Sequence, residues 1–328
     1  MKKALLILFI IPTYLFPQVN NKKVFLAKNS PLSEKNITAI VTDSTGLNWI
    51  GTLNGLICYN GQKWVTLNTE NSKLPSDKIL SIEIEDNTKY IGTTGGLLII
   101  KNNDWEVFTT QNSNLPSNKI RKIKIYKGVV WIATSAGLVR YKNDFEVVLC
   151  KTKNGIFDDD FITLNIDNEE IFWLGTNNGL YSYKNNIWRV FTTQNSELPN
   201  NHVWNVVVDN QNKKWIGTKK GIVTIIDDSW VLFNKKNLPL KTNTIKSIIC
   251  DDYDRVWVGT EKGVISYEGE SWEIQNTKIG KKEIITSLFI DAFDNKWIST
   301  LNNIILFNTE GVEFKNNITI ENNIIVSL

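Results

Sequence analysis

The sequence predicts an all-β fold, a seven-bladed β-propeller of four-stranded antiparallel blades with a repeat of about 41 residues. Three observations predict it. One eight-residue motif returns seven times, as WIGTLNGL from Trp49, YIGTTGGL from Tyr90, WIATSAGL from Trp131, WLGTNNGL from Trp173, WIGTKKGI from Trp215, WVGTEKGV from Trp257 and WISTLNNI from Trp297, at intervals of 41, 41, 42, 42, 42 and 40 residues. Its surroundings return with it, so the repeat is a whole supersecondary unit. Every apolar segment is short, rich in Ile, Val, Trp, Phe and Thr, and bounded by Asn, Asp, Gly or Pro, the punctuation of strands and hairpins. Helical periodicity over ten or more positions appears nowhere after the first twenty residues. An open solenoid is the alternative architecture.

Each unit opens with a short apolar strand, such as Ile79 to Ile84, Ile120 to Ile125, Val203 to Val208 or Ile245 to Ile249, and an acidic turn such as DNQNK, DDYDR or DAFDN. The W-I-G-T strand follows, then the T-x-x-G turn, a third strand, and a polar turn such as YNGQ, KNND or YEGE. A second aromatic opens the fourth strand: Trp64, Trp105, Phe145, Trp188, Trp230 and Trp272, with Val312 in the weakened last unit. A longer loop typified by NSNLPSNK leads to the next unit. Of 12 tryptophans, six hold the first aromatic position and five the second, which leaves only Trp204 off the pattern. Blades need bulk between sheets and small residues where backbones crowd. Trp173 is therefore expected as an interblade wedge, Gly175 as a close backbone approach and Asn177-Asn178-Gly179 as a hairpin turn. The chain enters at Val24 to Leu26, which matches an outer strand, and leaves at Ile324 to Leu328, which matches the start of an eighth unit. Seven blades with latched ends and a fragment of a longer array both fit.

The ends and the composition narrow the class. Apolar residues make up 42% and charged residues 22% of the 328, an ordinary globular balance. Residues 1–18, within MKKALLILFIIPTYLFPQVN, read as a secretory signal peptide, because the apolar run is too short for a membrane helix and is broken by Pro12. The propeller is expected over 22–328, in the periplasm or secreted. Without Lys2 and Lys3, basic residues number 35 against 34 acidic, so no basic face for nucleic acid is expected. Cys58, Cys150 and Cys250 lack metal-like spacing; buried single thiols and one disulfide with a spare thiol are both open.

Aligned, the units W-I-G-T-x-x-G-L, Y-x-x-x-x-W and L-P-S-N-x-I resemble the two-component regulator propeller repeat over roughly Val24 to Leu328. The resemblance implies a periplasmic ligand-binding sensor propeller of the kind found in hybrid histidine kinases of polysaccharide-degrading Bacteroidetes. It also implies a membrane sensor kinase or another envelope protein as partner. The full sensors carry a second propeller, a β-sandwich, a membrane span and a kinase, none of which this sequence shows, and no type IX sorting domain follows the repeats.

Function should lie where the units differ, since repeated residues are explained by packing. The T-x-x-G turn and the long loop are expected on one axial face. Trp204, beside the only histidine, His202, replaces Thr38, Leu80, Arg121, Ile162, Lys246 and Thr286 of the other units. It is either a platform for a flat ligand face or a filler between blades. Asp77, Asn118, Asp159, Asn201 and Asn243 share one loop position and form either a ring for ligand hydroxyls or ordinary turn residues. Asn177 and Asn178 lie in a T-x-x-G turn of the same face, and Arg121, Lys219, Lys220 and Lys262 add positive charge there. Asp158 to Asp160 and the acids at 251, 252 and 254 are more simply turn residues than a cation site, and no metal or cofactor is expected. The reading is a non-catalytic binding module for a carbohydrate or other small polar ligand. The alternatives are a lyase acting through His202 with Tyr59, Tyr141 or Tyr267, and a protein-interaction scaffold.

Overall fold

The T-x-x-G turn is a hairpin fixed by its own threonine. Thr176 Oγ1 donates to the carbonyl of Gly179 (3.1 Å) and accepts the N–H of Asn178 (2.9 Å). Gly179, at φ 151°, lies 2.7 Å, as a Cβ would see it, from the carbonyl oxygen of Phe191, so a side chain has no room. The threonine-to-carbonyl bond recurs at Thr52, Thr93, Thr134, Thr218, Thr260 and Thr300. The predicted Asn177-Asn178-Gly179 hairpin is therefore present.

The computed structural model describes residues 22–25, 30–32, 36–102, 104–156, 158–275, 284–300, 303–308, 312 and 314. The predicted signal peptide at 1–18 and the run at 324–328 lie outside them. The described strands form seven four-stranded antiparallel sheets. Six are built from four consecutive strands, as in blade 4: Thr163–Ile166, Phe172–Gly175, Leu180–Lys184 and Ile187–Phe191. The seventh takes Ile285–Ile290, Lys296–Thr300 and Ile304–Phe307 from one end of the chain and Lys22–Phe25 from the other, with Lys22 opposite Phe307 and Phe25 opposite Ile304. One four-residue helix, Lys151–Asn154, sits in the loop before blade 4.

The ring closes on itself. Ser287 Oγ of blade 7 donates to the Ile37 carbonyl of blade 1 (3.1 Å), and the Ala292 N–H donates to Thr42 Oγ1 (3.1 Å). Trp297 is buried in one cluster with Ile37, Ile40 and Ile50 of blade 1. Of the two closures open to the sequence, seven blades with a latched N-terminal strand is the one adopted.

Both repeated aromatics serve the seams between blades. The first faces the next blade and the second faces the previous one, so Trp215 of blade 5 meets Trp272 of blade 6 edge to face at 6.1 Å, and Trp297 shares its cluster with Trp64. Trp173 packs against Val203, Val206 and Ile216 of blade 5, the predicted wedge. The motif glycine lets the sheets approach. A Cβ on Gly175 would stand 2.6 Å from the Val203 carbonyl, and one on Gly92 would stand 2.6 Å from Ile120 Cγ2. The cysteines are free thiols, two buried and Cys250 half-buried.

The acidic turn aims the tryptophan. In blade 4, Asp167 Oδ1 accepts the N–H groups of Glu169 (3.0 Å) and Ile171 (2.9 Å), while Oδ2 accepts the Trp173 indole N–H (2.9 Å). The same six-residue step joins Asp43 to Trp49, Asp209 to Trp215, Asp251 to Trp257 and Asp291 to Trp297, each at 2.8 Å. Blades 2 and 3 turn instead through the two-residue loops Asp86-Asn87 and Lys127-Gly128, which leave no place for this aspartate. In three seams a lysine from the next blade completes the group: Lys214 lies 3.0 Å from Asp167 and 5.8 Å from the Trp173 ring centre, Lys296 lies 3.5 Å from Asp251, and Lys89 lies 3.9 Å from Asp43. Burial pushes the Asp167 carboxyl up, but bonds from Trp173 and Ile171 and the Lys214 ammonium outweigh it and hold the carboxyl below the usual range.

Lys214→Met leaves a buried carboxylate without its cation and should cost about 3–5 kcal/mol near pH 7. A depressed carboxyl stabilises the fold above the unfolded pKa of about 4 and loses that contribution as pH falls through its folded value. The gap between Lys214→Met and the parent should therefore narrow in urea melts below about pH 4; a gap independent of pH would reject the ion-pair account. Phe25 is 5% exposed and stacks on Trp297 at 5.9 Å, so Phe25→Ala should lower stability by about 3–5 kcal/mol through the latch alone. Thermal melts of that variant at the parent's midpoint would show the latch to be dispensable.

Candidate ligand site in the axial channel

The first strand of every blade is innermost, and in six of the seven a β-bulge interrupts it near its start. The pairing shifts across Thr38, Leu80, Arg121, Trp204, Lys246 and Thr286. A bulge turns one extra side chain out of the ladder and re-aims it. These are the positions that the sequence aligned with Trp204, and in blade 4 Ile162 stands just before the strand. The strand start pairs with the end of the second strand, as Val203 pairs with Thr218, so the bulges lie at the end of the channel that carries the T-x-x-G turns and the long loops.

Side chains from all seven inner strands enclose a cavity of about 630 Å³ on the axis. Trp204, Ile162, Leu80, Thr38 and Arg121 line its bulge end, and Glu83, Lys122, Lys124, Asn165, Ile249 and Phe289 lie further along it. Cavities of about 450–530 Å³ also occur at the outer parts of blades 2 to 4, but each gathers side chains from only one or two blades.

Trp204 is half-buried in the channel wall and belongs to none of the apolar clusters between blades. Its indole N–H is closed off and has no partner among the described residues, so it offers the channel ring surface rather than a donor. His202 packs against it at 4.9 Å, edge to face. Burial and the nearby Lys219 charge lower the His202 pKa, which keeps the ring neutral at pH 7. Arg121 donates to Asp160 through both Nε (2.8 Å) and Nη2 (2.5 Å), a two-pronged pair that ties blade 3 to the loop before blade 4.

The ring of amides and carboxylates has a structural task. Asp77, Asn118 and Asn201 accept the N–H of Thr69 (2.7 Å), Thr110 (2.7 Å) and Thr193 (2.8 Å). Asp159 and Asn243 accept those of Lys151 (3.0 Å) and Lys235 (2.8 Å). Each side chain thus clasps the residue eight positions earlier and closes the long loop, and the oxygen in that bond is spent on the fold. Asn177, Asn178, Lys219 and Lys220 are exposed in their T-x-x-G turns, with Asn178 Nδ2 donating to Asp158 Oδ2 (2.9 Å). Lys262 Nζ donates to the Lys241 carbonyl (3.1 Å). Of the two aspartate groups, Asp251 serves its turn and Trp257, while Asp158 and Asp160 serve Asn178 and Arg121. Tyr59, Tyr141 and Tyr267 sit in the third strands, among the aromatics of the seams, and the structure does not bring them to His202.

Lys122, Lys124 and Glu83 were not singled out from the sequence. The signal was there: IRKIKIY in blade 3 alternates lysine with isoleucine where VWNVVV and IKSIIC carry small polar or apolar residues. It becomes visible only once the inner strand is known to face a channel.

The two component regulator propeller model matches residues 239–262, which run from the loop before blade 6 through its first two strands. No curated protein matches the chain in sequence. Among solved structures, the extracellular domain of a one component system of B. thetaiotaomicron superposes with a TM-score of 0.71 at 20% identity, covering 88% of this chain and 40% of that one. The extracellular domain of a hybrid two component system of the same organism gives 0.72 at 18% identity, with 87% and 42% covered. Virginiamycin B lyase from Staphylococcus aureus gives 0.68 at 12% identity, with 87% and 98% covered. The chain thus spans about two fifths of the first two. The chain is a seven-bladed β-propeller, and residues 239–262 within it match the two component regulator propeller repeat.

Proposed function

We infer that the chain is an exported, non-catalytic, sensor-like propeller that binds a carbohydrate or another small polar ligand in its axial channel, from the face that carries the long loops. The observation that carries this reading is the 630 Å³ cavity lined by four of the six bulge residues, Thr38, Leu80, Arg121 and Trp204, which differ from blade to blade. Bulges are over-represented beside functional sites because they re-aim side chains, and a cavity of this size suits a sugar or a small oligosaccharide. An aromatic ring face with neighbouring amides is suited to the apolar face and hydroxyl edge of a sugar. The extracellular placement of the two sensor domains agrees with a periplasmic or secreted location and with a membrane sensor or other envelope protein as partner.

Trp204→Ala should weaken binding of any glycan that raises the thermal midpoint by roughly tenfold to a hundredfold, while Trp204→Phe keeps most of it. Unchanged binding in Trp204→Ala would reject the channel reading and favour a protein-docking face. Catalysis through His202 would show instead as turnover lost in His202→Ala.

A further inference from the structure

The inner strands of neighbouring blades are tied by small polar side chains at the position after the bulge. Ser81 Oγ accepts the Ile123 N–H (3.0 Å) and Asn205 Oδ1 accepts the Ile248 N–H (3.0 Å). Ser247 Oγ and Ser287 Oγ donate to the carbonyls of Leu288 (3.3 Å) and Ile37 (3.1 Å). Blade 3 has Lys122 at this position. Its ammonium makes no hydrogen bond and no ion pair among the described residues, and neither does that of Lys124 two residues on, although both line the cavity. Arg121 is already committed to Asp160.

Glu83 of blade 2 is the one carboxylate in the cavity lining. Its charge favours the Lys122 ammonium without pairing with it, while burial, the larger effect, and the Lys124 charge push the Lys122 pKa down. Two ammonium groups therefore face one carboxylate in a site with restricted access to water, a surplus of one positive charge. A serine or asparagine would meet the structural need at position 122, as the other blades show. What a lysine adds is an unmet demand for an anion.

We propose that the channel takes a small ligand that carries a carboxylate, with its anionic group held by Lys122 and Lys124 and its apolar face laid on Trp204. The proposal rests on the channel-binding reading above and specifies the charge of the ligand. A charge-assisted bond in a partly dehydrated site discriminates strongly against a neutral analogue of the same shape.

Glucuronate and glucose test it, because they share a ring and differ in charge. Binding is followed by the Trp204 indole resonance, assigned from the spectrum of Trp204→Phe, and inorganic sulfate serves as a bare-anion control. Glucuronate should shift that resonance saturably, and glucose should need roughly tenfold more ligand or above. Lys122→Gln and Lys124→Gln should erase the difference, and Lys122→Arg, which keeps the cation and guards against a folding artefact, should preserve it. Equal responses to glucuronate and glucose would overturn the anion assignment and leave channel binding standing. Sulfate raising the thermal midpoint as much as glucuronate does, with no loss of either shift in Trp204→Ala, would reduce the site to a bare anion site and overturn the role of the aromatic. No response to any of the three would sink both the assignment and the channel reading.

Discussion

The hydrogen bond from a buried indole N–H to an aspartate six residues earlier is the interaction on which most of this ring depends. It closes the turn between the first two strands, since the other carboxylate oxygen accepts the turn's own N–H groups. It also fixes the tryptophan in one orientation against the next blade. A bond to a charged acceptor contributes about 1.5–3 kcal/mol, and five blades carry it. The indole then supplies the area that one blade lacks on its own. Four strands can shield neither of their own faces, so each blade is stable only as a neighbour.

That dependence separates scaffold from site. Every residue that makes a seam is constrained to recur: the indole, the glycine that admits the next strand, the threonine that locks the hairpin, and the loop clasp eight residues long. The first strand is freer at its bulge positions, which belong to none of the apolar clusters between blades, although Thr38 and Arg121 still bond across to the next blade. The blades therefore offer a ring of positions whose side chains differ from blade to blade. In this chain they hold hydroxyl, aliphatic, guanidinium, indole and ammonium groups.

The fold was legible in the sequence because its constraint is periodic. Trp173, Gly175 and the Asn-Asn-Gly hairpin can each be placed from the alignment of seven copies, since packing demands the same side chain at the same step each time. The site was legible only in outline. Trp204 stood out because it is a large residue at a position where other units vary. Asp77, Asn118 and Asn201 read at that level as either a ligand ring or turn residues, and their bonds to backbone N–H groups eight residues away depend on the folded path of the loop. Lys122 and Lys124 did not stand out, because an alternating strand reads alike whether its polar face meets bulk water or a channel. The ring closure was equally undecided, since strand addition across some 280 residues of chain is a tertiary event with no local signature.

The seam where the ring closes lacks the lysine that three other seams carry. At the turn of blade 7, Asp291 holds Trp297 as its counterparts do, but the residue opposite in blade 1 is Asn48, where Lys89, Lys214 and Lys296 stand in other seams. Without a cation, burial prevails over the bonds from Asn295 and Trp297 and pushes the Asp291 carboxyl up. Its ionised form therefore subtracts from stability at neutral pH, the opposite sign to Asp167, and protonation relieves it as pH falls through the raised value. Asn48 Nδ2, Thr286 Oγ1 and Ser299 Oγ, three of the five buried polar atoms with no partner among the described residues, lie in blades 1 and 7. The lysine–aspartate tie of those three seams is thus absent where the ends of the chain meet. Its place is taken by apolar area and backbone bonding: Phe25 stacked on Trp297, Tyr59 stacked on Trp64 at 3.6 Å, and the Lys22–Phe25 strand laid along Ile304–Phe307. An ion pair could join two finished blades but could not complete a three-stranded sheet, and only an added strand removes the unpaired edge that the last blade would otherwise present.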